Sequence, residues 1–169
     1  MRAAQTSLSS MELHNEQNEE NETMSMKKTA LALSMIALGT AALAHSGVTN
    51  KDVMARMMVM STISDQMKLI GSMAKGEADF DAEAVNSALI EIAAQSAQIP
   101  SMFETKALDP KSEALPSIWT EFDSFTQRAR ETEAVAERLA GTVTGPDDLG
   151  PVLHQVGETC KSCHSTFRK

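Results

Sequence analysis

Apolar residues along this chain recur at helical spacing in four separate stretches. From about Thr49 to Lys75, Val53, Met57, Met60, Ser64, Met67, Gly71 and Ala74 fall on one face, and Gly76 follows as a C-terminal cap. A second stripe, Val85, Ala88, Leu89, Ile92 and Ser96, runs through a helix expected from Asp81 to Ile99, with Pro100 closing it. Residues 101–115 have no period and read as a long connection containing Phe103, Leu108 and Pro110. A third helix is expected from Pro116, a suitable first-turn proline, to Gly141, with Ile118, Phe122, Phe125, Ala129, Ala136 and Leu139 inward. The fourth starts around Asp147 or Gly150 and carries Leu149, Val152, Leu153, Val156, Cys160, Cys163 and Phe167. Period-2 alternation and β-branched runs are absent, so the pattern predicts an all-α, antiparallel four-helix bundle.

The strongest chemical signal lies in the last helix, at Cys160-Lys161-Ser162-Cys163-His164. Cys-x-x-Cys-His is the haem c attachment motif. On a helix, residues at i, i+3 and i+4 share a face, so two thiols and an imidazole can meet one porphyrin. Two other readings compete. A structural zinc site needs four ligands, and beyond the motif only His154 and His45 are within reach of the folded part. His154 precedes Cys160 by six residues, about 240° around a helix, and points away from the pair. A thioredoxin-like dithiol or a plain disulfide calls for a βαβ or cysteine-rich setting, and neither pattern is present.

The N-terminal region adds a compartment. Lys27-Lys28, an apolar run from Ala30 to about Leu43 and the small-residue site Ala42-Leu43-Ala44 read as a secretory leader over residues 24–44. The run is too short for a membrane span. Glu19, Glu20 and Glu22 do not suit a leader. Residues 1–23 are therefore expected to be a mis-annotated extension, with translation starting at Met24 or Met26 in place of Met1. The exported protein would begin at His45 and run 125 residues, one domain. Its twelve Lys and Arg against eighteen Asp and Glu give −6. That balance argues against nucleic-acid binding and against anionic membrane surfaces. Export agrees with haem attachment, since c-type haem is added outside the cytoplasm.

With these residues in place, the chain resembles the class II c-type cytochromes, the cytochrome c′ family, over nearly all of residues 49–169. The resemblance rests on the haem motif, Arg56 in the first helix, Met73-Ala74-Lys75-Gly76 at its end and Ile118-Trp119 opening the third. It continues through Gly157, three residues before Cys160, and Phe167-Arg168 after the motif. It implies one covalent haem c between the first and fourth helices, bound by Cys160 and Cys163, with His164 as proximal iron ligand. It also implies that Arg56 lies near the haem edge and a propionate, that Arg168 lies close to the proximal histidine, and that position 60 faces the distal side of the iron. Trp119 is expected to pack in the interior.

Position 60 is a methionine in a Met-rich helix that also holds Met54, Met57, Met58, Met67 and Met73. A thioether is a competent soft ligand for haem iron, and a ligating Met is what the family's low-spin branch carries. A methionine stripe is also ordinary core filling. With Met60 ligating, the expectation is a periplasmic one-electron carrier, not an enzyme, that docks weakly with periplasmic redox proteins as donor and acceptor. The alternative is a five-coordinate cytochrome c′ that binds nitric oxide or carbon monoxide at an open distal site. A haem peroxidase is disfavoured, because no free histidine can reach the distal side. The resemblance allows a homodimer through the first two helices, where Met54 and Met58 are available.

Overall fold

A computed structural model describes residues 47–169. The extension and leader expected over residues 1–44 lie outside the described residues. Five helices follow in order: α1 Lys51–Ala74, α2 Ala82–Phe103, the four-residue α3 Ser117–Thr120, α4 Phe122–Leu139 and α5 Leu149–Phe167. A 3-10 turn, Pro146–Asp148, leads into α5. The four long helices close a ring in which α1 packs on α2, α2 on α4, α4 on α5 and α5 back on α1. Among the described residues no strand forms, and no helix is long and apolar enough to cross a membrane.

The helix ends follow from local chemistry. The Asn50 side chain accepts from the backbone N–H groups of Asp52 and Val53 and caps α1. Gly76, at φ +72°, takes the left-handed turn that ends it. Asp81 caps α2 by accepting from the N–H of Ala84 at 3.0 Å.

Two boundaries differ from expectation. α2 does not stop before Pro100; it continues to Phe103. A proline this near the end of a helix costs one backbone bond, and the extra turn seats Phe103 in the core among Trp119 and Phe125. The helix expected from Pro116 to Gly141 is broken at Glu121, whose φ and ψ of −125° and 40° leave the helical region. The break separates α3 from α4, and on α3 the Trp119 Nε1–H donates to the Phe103 carbonyl at 2.8 Å.

The core face of α1 is also turned. Its buried residues are Val53, Arg56, Val59, Ile63 and Ile70. Of the stripe expected to face inward, only Val53 is fully buried; Met57, Met60, Met67 and Gly71 are half-buried, and Ser64 and Ala74 are exposed. At 100° per residue the two stripes are about 60° apart. The β-branched residues fill the bundle core, and the methionines occupy the flank beside it. In α2, by contrast, every expected residue is buried.

The connection from Glu104 to Pro116 is irregular but heavily tied. Asp109 Oδ2 accepts from the Thr49 N–H at 2.9 Å, the Thr49 hydroxyl at 3.1 Å and the Asn50 N–H at 3.1 Å. Its Oδ1 accepts from the Lys111 N–H at 2.9 Å. Leu115 N–H donates to the Phe167 carbonyl and Lys169 N–H to the Glu113 carbonyl, around an isolated antiparallel bridge between Ala114 and Arg168. One loop thus joins the start of α1 to the end of α5.

The backbone donors from Lys111, Thr49 and Asn50 hold the Asp109 carboxyl down at about 2, below its ordinary 3.8. A depressed carboxylate contributes stability above its unfolded value and loses it as pH falls through the folded one. Asp109→Asn is therefore expected to unfold at lower urea than the parent at pH 7, with the gap closing between about pH 4 and pH 2. A gap that stays constant across that range in urea titrations would contradict the assignment.

Candidate cofactor site

Unbroken helical geometry from Leu149 to Phe167 puts Cys160, Cys163 and His164 on one side of α5. All three are half-buried, both thiols are free, and Cys160 and Cys163 pack against the central apolar cluster. Burial pushes both thiols up from their ordinary values; at Cys163 the nearby Arg128 charge works against that rise. The His164 imidazole is pushed down, first by burial and then by the positive charge of Arg168, with Glu113 opposing. A lowered value keeps the ring neutral near pH 7, with a nitrogen lone pair available to a metal.

The Arg168 charge acts on this imidazole. Its guanidinium is engaged with Glu113: Nε donates to Oε2 at 2.6 Å, and Nη2 pairs with the same oxygen. Both side chains are about half exposed, so the pair orders the tail after the motif more than it stabilises the fold.

Arg56 is buried, at 4% exposure. Its Nε donates to the Met102 carbonyl at 2.9 Å, Nη1 to Ala107 at 3.1 Å and Nη2 to Thr105 at 2.6 Å. The guanidinium lies over the Phe103 ring, 4.2 Å from its centroid, and 5.8 Å from that of Trp119. Among the described residues the partners are three carbonyls and two aromatic faces. Burial lowers the guanidinium's value, and Asp52 opposes the effect. Three of its five N–H groups are used, leaving one on each terminal nitrogen for an acid group.

Met60 lies one turn beyond Arg56 on α1, half-buried, and packs against the same apolar cluster as the two cysteines. Trp119 is half-buried at that cluster's edge. Sequence reading missed Arg128. Its Nη1 donates to the Ser162 hydroxyl, between the two cysteines. Arg128 follows Phe125 by three residues and precedes Thr132 by four, so the α4 pattern already placed it beside the core.

Among the described residues no three His, Cys, Asp or Glu side chains gather as a metal cage requires. What is present is a different donor set: two thiols and an imidazole on one helix, and a thioether on the helix packed against it. That set fits a haem c, held covalently on the α5 side, with sulfur or an open position on the α1 side.

Known proteins are similar to this chain over the described residues. The family described as Cytochrome C' matches residues 51–168. Cytochrome c′ of Pararhodospirillum photometricum is 34% identical over 117 residues, covering 68% of this chain and 93% of that protein. Cytochrome c-556 of Agrobacterium tumefaciens (strain II Chrys) is 30% identical over 120 residues, covering 69% and 96%. The solved cytochrome c′ of Rhodopseudomonas palustris superposes with a TM-score of 0.64 at 30% identity, over 72% of this chain and 98% of its own.

Arg56→Lys keeps the charge, but one ammonium cannot serve three carbonyls in the guanidinium's planar fork. The variant is expected to lose about 2 kcal/mol in urea unfolding. Unchanged stability would mean that the carbonyl bonds contribute nothing net.

Proposed function

The chain belongs to the cytochrome c′ family of class II c-type cytochromes, and from that membership we propose that it is an exported one-electron carrier, not an enzyme, with iron held between His164 and Met60. Proteins of this family carry covalently attached haem c, which supplies a single iron centre that cycles between two oxidation states. Cys160 and Cys163 would form the thioether links, and His164 the proximal bond. Arg56, with two N–H groups left over, would pair with a propionate at the haem edge, and Arg168 would hold its place beside His164.

The observation that carries the carrier reading is the position of Met60. It is half-buried on α1, one turn beyond Arg56, against the same apolar cluster that Cys160 and Cys163 join, and α1 packs directly on α5. With Met60 and His164 both holding the iron, neither side would be open to a substrate, and the group would supply one-electron redox chemistry. His/Met ligation also raises the reduction potential.

Redox partners would dock weakly and transiently, in a small interface. The acidic balance of residues 45–169 favours basic patches on those partners and an on-rate that falls with salt. Periplasmic location follows from the leader reading and from where c-type haem is attached. The second reading, a five-coordinate iron binding nitric oxide or carbon monoxide, draws on the packing of Met60 against the apolar cluster. That contact is also how a nonligating side chain would line a dry distal pocket.

Absorption spectra of the haem-loaded protein, reduced with and without carbon monoxide, separate the two. Low-spin bands indifferent to carbon monoxide are expected for the parent. Met60→Ala should become high-spin and bind carbon monoxide. A parent that binds carbon monoxide readily would overturn the Met60 assignment in favour of gas binding. Cys160→Ser together with Cys163→Ser should abolish covalent haem, read by haem staining on a denaturing gel.

A further inference from the structure

Arginines in and around a folded core are normally satisfied, and most of those in this bundle are. Arg56 serves three carbonyls, Arg168 pairs with Glu113, and Arg138 donates to Gln155 Oε1 at 3.3 Å from each terminal nitrogen. Arg128 differs. It reaches from α4 across to α5 and is half-buried, and its one side-chain bond is from Nη1 to the Ser162 hydroxyl. Its Nε–H is fully buried without a partner, and none of the ion pairs among the described residues includes it. Glu131, three residues on, makes no pair with it.

Burying an uncompensated cation is unfavourable, so the position calls for a reason. Only a hydroxyl anchors it. A neutral donor would satisfy Ser162 equally well without the desolvation cost. What a guanidinium adds is a permanent positive charge on the flank of the Cys-x-x-Cys-His segment. Ser162, on which it is anchored, sits between Cys160 and Cys163, the two sulfurs through which the macrocycle would be bound. Oxidation raises the charge of the iron–porphyrin core by one, and a fixed cation held in poorly hydrated surroundings opposes that change.

Resting on the haem-binding reading above, we propose that Arg128 sets the reduction potential of this protein. Anchored on Ser162 and paired with no protein carboxylate among the described residues, its guanidinium raises the potential by disfavouring the oxidised state. The residue touches neither iron ligand; it acts through the field at the Cys163 side of the haem. Being half-buried, that field is only partly screened by salt.

The test is a spectroelectrochemical titration of the haem-loaded protein. Arg128→Gln keeps a donor for Ser162 and removes the charge. It is expected to lower the reduced-to-oxidised ratio at fixed potential roughly tenfold, which is about 59 mV for a one-electron couple. Arg128→Lys keeps the charge and should stay within about twofold of the parent, on the same Coulomb argument. Should Arg128→Gln not accumulate, Ser162→Asp decides, because a carboxylate set against the intact Arg128 neutralises it and should shift the potential the same way. Equal potentials in Arg128→Gln and parent, or in Ser162→Asp and parent, would overturn the proposal. So would a fall in Arg128→Lys as large as that in Arg128→Gln, which would assign the effect to the bond and not to the charge. A parent chain without covalent haem on a denaturing gel would instead sink the haem-binding reading, and this one with it.

Discussion

A charged guanidinium in the interior is the constraint around which this bundle is arranged. Moving Arg56 out of water costs several kcal/mol, and the cost is met only if its N–H groups find acceptors in a fixed plane. Three carbonyls of residues 102–107 supply them, with the Phe103 face stacked on the ion. The requirement acts in both directions. It fixes the path of the chain as α2 ends, and it fixes the rotation of α1, which must point Arg56 at that path. Met60, one turn on, inherits that rotation. The placement of Met60 is therefore set by a residue whose hydrogen bonds all go to the backbone.

Most of the architecture was legible because helical periodicity is a strong signal in this chain. The α2 stripe was read residue for residue, and the α5 face was fixed by the haem motif itself. Where sequence reading failed, a competing interaction had won. The α1 stripe was read through its methionines, while the β-branched residues on the adjoining flank took the core. Pro100 looked like a terminator, but burial of Phe103 outweighed one missing backbone bond. The single helix expected after Pro116 is broken so that Trp119 can reach the Phe103 carbonyl, a long-range demand that no local pattern encodes.

The candidate site was legible in the placement of Cys160, Cys163 and His164 on one face of α5, because their spacing and the helix together decide it. Arg56 was marked by the family resemblance, yet nothing in the sequence says that its partners among the described residues are carbonyls. Arg128 went unremarked for a plain reason: its meaning depends on Ser162, 34 residues away on another helix. Electrostatics between helices is a property of packing, and packing is where single-sequence reading is weakest.

The irregular loop from Glu104 to Pro116 has a kinetic side. Its bonds from Thr49 to Asp109, from Arg56 to Thr105 and Ala107, and from Arg168 to Glu113 join residues 49 to 60 positions apart. Contacts of that span require the chain to close long loops first. Bonds that form only after the helices have packed would be absent from the folding transition state, and interactions of that kind govern how fast a protein comes apart while hardly affecting how fast it assembles. On that footing the segment with the least regular structure would act as a latch on the folded chain, a property read from the unfolding limb of its chevron.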